Sequence, residues 1–237
     1  MQTKAIRLDK YISEACAFSR ADARRWILHG TVAVNGAICK KIDEKVDDLS
    51  EIAFNGNLLS HSQFVYIMLN KPQGVVSASR DKNDVTVTAL VAEEFPRRTL
   101  FPAGRLDKDS EGFVLLTDDG AFAHDILAPK KHVSKTYIVG VDEVLTKEVV
   151  DGFNAGVTLK DGQKLHSAQL EILAPQLAKV VLTQGVYHQI KRMLGVFEIG
   201  VTSLKRINIG GIDLDETLKE GEYRLLTAEE IALIKEN

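Results

Sequence analysis

The stretch Gly104-Arg105-Leu106-Asp107-Lys108-Asp109-Ser110-Glu111-Gly112 runs without a break into Phe113-Val114-Leu115-Leu116-Thr117. A polar, charge-dense loop bracketed by two glycines therefore feeds an apolar, buried strand. Such a loop holds a reactive group at the edge of a rigid scaffold. In an extended segment, residues two apart point to the same side, so Arg105 and Asp107 share one face while Leu106 anchors the other. A carboxylate beside a cation keeps a low pKa and stays ionised, as a nucleophile must. An ordinary surface salt bridge has the same spacing, and the pattern alone leaves both readings open.

The chain around this stretch reads as strands with few helices. Phe64-Val65-Tyr66-Ile67-Met68-Leu69 is an apolar strand, Asn70-Lys71-Pro72-Gln73-Gly74 turns it, and Val75-Val76-Ser77 returns. A charged loop at 80–84, a helix at 85–95 and a segment between Pro96 and Pro102 lead to Gly104. Beyond Thr117, Asp118 or Asp119 caps a helix reaching Leu127, and Pro129 stops it. Strands are expected at 135–141, 165–173, 179–183 and 201–209, and helices at 144–155, at 187–197 and from Thr227 with Glu230. The elements lack a regular βαβ beat, which predicts an α+β domain with a mixed, mainly antiparallel sheet.

Residues 1–60 have a different texture. A helix over 7–16 carries Leu8, Tyr11, Ile12 and Ala15 at helical spacing. Ser19, with Asp22 three residues on, starts a second helix, and Gly30 ends it where a left-handed C-cap is expected. Thr31 to Val34, the turn Asn35-Gly36 and Ile38 form a hairpin, and Ile52-Ala53-Phe54 is a third strand closed by Asn55-Gly56. The whole chain has a net charge of -3, yet residues 1–41 hold eight Lys and Arg against three acids. Arg20 and Arg24 are four apart and share a helix face, with Arg25 beside them. A local basic patch suits a polyanion, although charge clusters also simply solvate a helix. Residues 58–63 are polar and read as a linker, with an exposed His61, between a domain at 1–60 and another at 64–237.

A chain of 237 residues holds one large domain or two modest ones. The 45% hydrophobic and 27% charged content is that of a soluble globular protein. Cys16 and Cys39 lack CxxC or metal-ligand spacing and are expected as reduced thiols in a cytoplasmic protein. There is no apolar signal core, and no apolar run nears the roughly 18 residues that a membrane span needs. No nucleotide-binding glycine motif is present. Nothing in the pattern demands more than a monomer.

Gly104-Arg105-Leu106-Asp107 followed by Gly112-Phe113-Val114-Leu115-Leu116-Thr117-Asp118-Asp119-Gly120 resembles the signature of the RsuA-type rRNA pseudouridine synthases, and Leu69-Asn70-Lys71-Pro72-Gln73-Gly74 fits the same pattern. Arg7-Leu8-Asp9-Lys10-Tyr11 and the segment from Ser19-Arg20 to Val34-Asn35-Gly36 resemble an S4-type RNA-binding domain. The resemblance implies that Asp107 is the nucleophile. Arg105 would fill the gap left by a flipped uridine or brace the backbone. Tyr137, in Lys135-Thr136-Tyr137, would stack on the base and could move a proton at C5. Lys191 would be the cation paired with Asp107, with Arg192 as its rival, because adjacent helical residues point about 100° apart. RNA contacts are expected at Arg7, Ser19, Arg20, Arg24, Arg25, Lys40 and Lys41, and at Lys71, His188, Gln189 and Arg192 in the second domain. His188 is read as a capping or RNA-contact residue rather than an acid–base group.

The same resemblance implies no cofactor and no metal. Tyr187-His188-Gln189-Ile190-Lys191-Arg192-Met193 is closer to the small-subunit members, which implies 16S rRNA or a small-subunit assembly intermediate as partner. The alternatives are a synthase acting on 23S rRNA, a non-catalytic S4-type rRNA-binding assembly factor, and a hydrolase using Asp107 with Asp109 as paired carboxylates.

Overall fold

The computed structural model describes every residue except 1–4, 17, 48, 60–63, 97, 129–132, 160–161 and 236–237. It divides into two compact units, Met1–Gln63 with Phe95–Arg98, and Phe64–Glu94 with Thr99–Asn237.

The first unit runs β1 (Ile6–Arg7), α1 (Leu8–Ala15), α2 (Arg20–Leu28), β2 (Val32–Val34), β3 (Ala37–Ile38), β4 (Lys45–Val46), β5 (Ile52–Phe54) and β6 (Asn57–Leu59). Leu8, Tyr11 and Ile12 of α1 pack against Ala23 and Ile27 of α2, and against Val32, Val46 and Ile52 from the strands. The Ser19 hydroxyl accepts from the Asp22 backbone N–H and so caps α2, and Gly30 follows its end at φ +77°. Asn35-Gly36 and Asn55-Gly56 both take positive φ at both positions, the type I′ geometry that joins two strands tightly. The second of these turns creates β6, which pairs with β5. Leu58 and Leu59 therefore belong to a hairpin and not to a linker, and residues 60–63 of the expected linker lie outside the described ones.

Asp9 is fully buried at the start of α1. Its Oδ1 accepts from Arg7 Nε at 3.1 Å and Arg20 Nη2 at 2.8 Å, and its Oδ2 from Arg24 Nε at 3.0 Å. Burial pushes the carboxyl pKa up, but the three guanidinium hydrogen bonds outweigh it and hold the group well below the usual carboxylate range.

The second unit runs β7 (Tyr66–Lys71), β8 (Phe101–Pro102), β9 (Glu111–Thr117), α3 (Gly120–Leu127), β10 (Lys135–Val141), α4 (Lys147–Ala155), β11 (Gln169–Ala174), β12 (Leu177–Leu182), α5 (Gln189–Gly195), β13 (Val201–Ile209), β14 (Ile212–Asp213), β15 (Tyr223–Leu225) and α6 (Ala228–Leu233). The sheet order is β11-β12-β10-β13-β9-β7-β15, with β14 beside β13 and β8 beside β9. All pairings are antiparallel except β13 with β9. The sheet is mixed and mainly antiparallel, as expected. Phe113, Val114, Leu115 and Leu116 are all fully buried, which is why this strand reads as a continuous apolar run rather than an alternation. On one face Phe113, Leu115 and Met68 pack with Phe122, Ala123 and Ile126 of α3. Asp119 caps α3 by accepting from Phe122 N, whereas Asp118 accepts from Val65 N. Pro129 lies outside the described residues.

Three expectations are corrected. β7 continues through Asn70 and Lys71 instead of turning there. Val75-Val76-Ser77 is not a strand; only Val76 forms a bridge, to Thr86. Residues 85–95 are not a helix but contain a single 3₁₀ turn, Ala89–Val91. Val85-Thr86-Val87-Thr88 is β-branched throughout, which disfavours helix. The Thr86 hydroxyl accepts from Ala89 N and the Thr88 hydroxyl donates to Ser79 O, so both satisfy local backbone in a turn instead.

Candidate active site

Leu106 is buried between exposed Arg105 and half-buried Asp107, so the extended chain anchors the apolar residue and leaves the two charged ones outward. Ser77 fixes this point from both sides: its hydroxyl donates to Leu106 O at 2.9 Å and accepts from Leu106 N at 3.0 Å. The Gly74 N–H donates to Lys108 O at 2.8 Å, and Ser110 N to Asp107 O at 3.1 Å. Beneath the loop, the buried Lys71 ammonium donates to the carbonyls of Pro72 (2.9 Å), Lys108 (3.4 Å) and Ser110 (2.5 Å). Burial pulls its pKa down to about 8, against the raising influence of Asp109, Asp107 and Glu111.

The loop ends at Gly112, at φ +99°, where a Cβ would run into the Arg206 backbone. Only glycine allows both this backbone and this approach. Lys71 pairs with Gly112, Gly112 with Arg206, and Arg206 with Tyr137, one row crossing β7, β9, β13 and β10. Directly paired residues share a sheet face, so Lys71, Arg206 and Tyr137 project on the side of the Asp107 loop. Arg206 is 2% exposed; its Nε donates to Phe113 O at 2.7 Å, and its Nη2 has no hydrogen-bond partner among the described residues. Lys135 is also buried, donates to Val133 O, and is pulled down to about 8 by burial and by the Arg206 charge.

The second wall comes from α5. Its Ile190, Met193 and Leu194 are buried, which sets the helix phase. Lys191 then reaches the loop, with Nζ 3.5 Å from Asp107 Oδ2 and 2.7 Å from Asp109 Oδ2. Arg192 points elsewhere, and its Nη1 donates to Gln163 at 3.2 Å. The Lys191 hydrogen bond holds Asp109 below the ordinary carboxylate range. His188 precedes the helix in a left-handed conformation, φ +50°, and makes no side-chain cap. Its Nε2 instead lies 3.3 Å from Asp107 Oδ1, and its ring stacks on Tyr187 with centroids 3.8 Å apart. Asp107 thus sits between an ammonium and an imidazole at a cleft of about 480 Å³ lined by Gln73, Gly74, Asp107, Lys108, Asp109, His188 and Lys191. That size suits a small-molecule-sized group such as a single nucleoside. Among the described residues no cluster of three or more His, Cys, Asp or Glu could hold a metal ion.

Not every expected residue gathers here. Arg105 is exposed and Tyr137 is 8% exposed within β10; neither lines the cleft. Lys71 and Gln189 were expected to contact RNA, and both are buried. Lys71 is committed to loop carbonyls, and Gln189 Oε1 accepts from Val186 N at the entrance to α5. Ser77 and the orientation of His188 were not read from the sequence. A lysine closing an apolar strand immediately before Pro72 was the one signal for Lys71. In the first unit Ser19 serves as a cap, Arg25 pairs with Asp22 at 2.8 Å and lies over the Trp26 ring, and Lys41 pairs with Glu44 at 2.9 Å. Lys40 is exposed.

Comparison with known proteins agrees with this architecture. Residues 65–195 match the RNA pseudouridylate synthase family, and residues 6–51 match the S4 domain. The chain is 41% identical to an uncharacterized RNA pseudouridine synthase, YtzG, of Bacillus subtilis, over 98% of this chain and 99% of that protein. It is 39% identical to ribosomal small subunit pseudouridine synthase A of Escherichia coli K12, over 97% of this chain and the whole of the other. A crystal structure of a pseudouridylate synthase superposes with a TM-score of 0.67 at 36% identity, covering 97% and 99% of the two chains. Fold and matches together define an isomerase that couples an S4 domain to a pseudouridine synthase domain. The chain belongs to the RsuA-type RNA pseudouridine synthases.

Proposed function

We propose that this enzyme converts a uridine of 16S rRNA to pseudouridine during small-subunit biogenesis, with Asp107 as the nucleophile. The observation that carries the assignment of Asp107 is its carboxylate, 3.5 Å from Lys191 and 3.3 Å from His188 at the cleft lined by the tethered loop. The 16S target is supported by the near full-length similarity to the Escherichia coli small-subunit enzyme.

The reaction breaks the N1–C1′ bond, rotates the base and joins C5 to C1′. Atoms balance within the nucleotide, with one proton leaving C5 and one arriving at N1. Asp107 engages the nucleotide, and Lys191, 3.5 Å away, orients that carboxylate. Tyr137, 8% exposed in the free protein, is uncovered on RNA binding to stack on the base, a contact worth roughly 1–3 kcal/mol, and its hydroxyl then moves the C5 proton. Arg105 occupies the space vacated by the extruded uridine. Extrusion costs a few kcal/mol, which the basic face of the first unit helps to offset by docking the RNA.

The test is pseudouridine mapping by carbodiimide modification and primer extension on unmodified 16S rRNA, bare and as an assembly intermediate, with 23S rRNA as control. One new stop in 16S, absent with Asp107→Asn, is expected. A stop only in 23S overturns the subunit assignment, and turnover by Asp107→Asn overturns the nucleophile.

A further inference from the structure

The arginines of the first unit are not independent surface charges. Arg7, Arg20 and Arg24 come from two different elements, yet all three close on the single carboxylate of Asp9, whose side chain is fully buried. The carboxylate uses both oxygens: Arg7 Nε and Arg20 Nη2 on Oδ1, Arg7 Nη2 and Arg24 Nε on Oδ2. A guanidinium carries five N–H donors, so each arginine spends one or two of them inward. The side chains remain 41%, 44% and 52% exposed, which leaves guanidinium surface open to a partner. One acid against three bases leaves a net charge of +2. Long arginines on an exposed helix face ordinarily keep their rotamer freedom, and fixing them on a ligand costs entropy. Here the cost is met within the folded protein, before any partner arrives.

We infer that Asp9 is a positioning residue for RNA docking, locking Arg7, Arg20 and Arg24 into a rigid three-pronged array whose outward N–H groups take up neighbouring phosphates of the RNA backbone. This rests on the reading of the first unit as the RNA-docking face. Arginine is required for the array because its planar fork bonds the carboxylate with one edge and a phosphate with another, whereas a lysine offers a single mobile point charge. The role of Asp9 runs against simple electrostatics, which makes an acid under a phosphate-binding face unfavourable.

The experiment measures the affinity of the full-length protein for in-vitro-transcribed 16S rRNA across a KCl series, with folding checked by circular dichroism and thermal melting. Asp9→Asn makes the face more positive, yet it is expected to weaken binding about tenfold and to lower the salt slope by about one phosphate contact. A second variant keeps the charge and removes the geometry at exposed positions: Arg20→Lys with Arg24→Lys is also expected to weaken binding several-fold, even if Asp9→Asn proves too unstable to test. Binding by the lysine variant equal to wild type, or binding by folded Asp9→Asn equal to or tighter than wild type, overturns the positioning role. Arg20→Ala with Arg24→Ala separates the two ideas. If it too binds normally, the docking face itself is misassigned; if it weakens binding while the lysine variant does not, charge alone suffices and only the Asp9 inference falls.

Discussion

The ammonium of Lys71 lies 2.5 Å from the carbonyl oxygen of Ser110, directly beneath the loop that carries Asp107. With Pro72 O and Lys108 O it ties three backbone points to one buried cation. Two effects oppose each other on its removal. Lys71→Met leaves carbonyls without a donor, but it also relieves the burial of a charge, shown by a pKa pulled to about 8. These nearly cancel in global stability, so the urea midpoint is expected to move little. The loop loses its tether, and a misplacement near 1 Å costs about 100-fold in rate. Single-turnover kinetics on 16S rRNA should show this loss, and a normal rate would refute the tether.

The two buried lysines give stability an unusual pH dependence. Lys71 and Lys135 are both drawn to about 8 in the fold by burial, against about 10.4 in an unfolded chain. Below pH 8 both states are protonated and the fold carries the full cost of two buried ammoniums. Between about 8 and 10.4 the unfolded chain binds more protons than the native one, so stability rises with pH, by up to roughly 1 kcal/mol per pH unit for each group. Urea titrations from pH 7.5 to 9.5 check the rise, and Lys135→Met should reduce it by about half, leaving the Lys71 share. Activity should fall over the same window as Lys71 loses the third proton that serves its third carbonyl.

Lys191 and Arg192 are adjacent, but only Lys191 lies against Asp107, at 3.5 Å. Lys191→Ala is expected to lower kcat about 100- to 1,000-fold, the usual cost of losing one preorganised charge at a reacting group. Arg192→Ala should stay within about threefold in kcat because its guanidinium meets Gln163. Steady-state comparison of the two decides it, and equal losses would contradict the helix phase.

Gly112→Ala places a methyl group into the Arg206 backbone at φ +99°. Neither the strain nor the clash can relax into a flexible side chain, so a loss of at least about 3 kcal/mol is expected. Thermal melting measures it; a melting temperature within a degree or two of wild type would refute the close approach.

Much of the scaffold was legible because local chemistry dictated it. Asn35-Gly36 and Asn55-Gly56 took their type I′ geometry, Thr227 and Glu230 formed a reciprocal cap, and β10 and β13 occupy the expected residues. Some failures depend on contacts remote in sequence and others on local backbone. Lysine is rarely buried, so Lys71 read as a surface cation; its partner Ser110 is 39 residues away. Gln189 and His188 looked alike in sequence, but the left-handed backbone at His188 turns one ring toward Asp107 while Gln189 folds inward. At 85–88 tertiary placement did not decide the outcome; the β-branched run and its hydroxyls did, and that signal was available.

The parallel pairing of β13 with β9 sets a timetable for synthesis. Lys205 and Arg206 must lie beside Glu111 and Gly112, and Arg206 reaches Phe113 O across 93 residues of chain. Contacts so far apart form late, after the loop between them has closed. A ribosome making this protein releases Asp107 well before the strand that braces its loop. At about 5–20 residues per second, several seconds separate the synthesis of Asp107 from that of Arg206, and through that interval the loop stands on an unfinished floor.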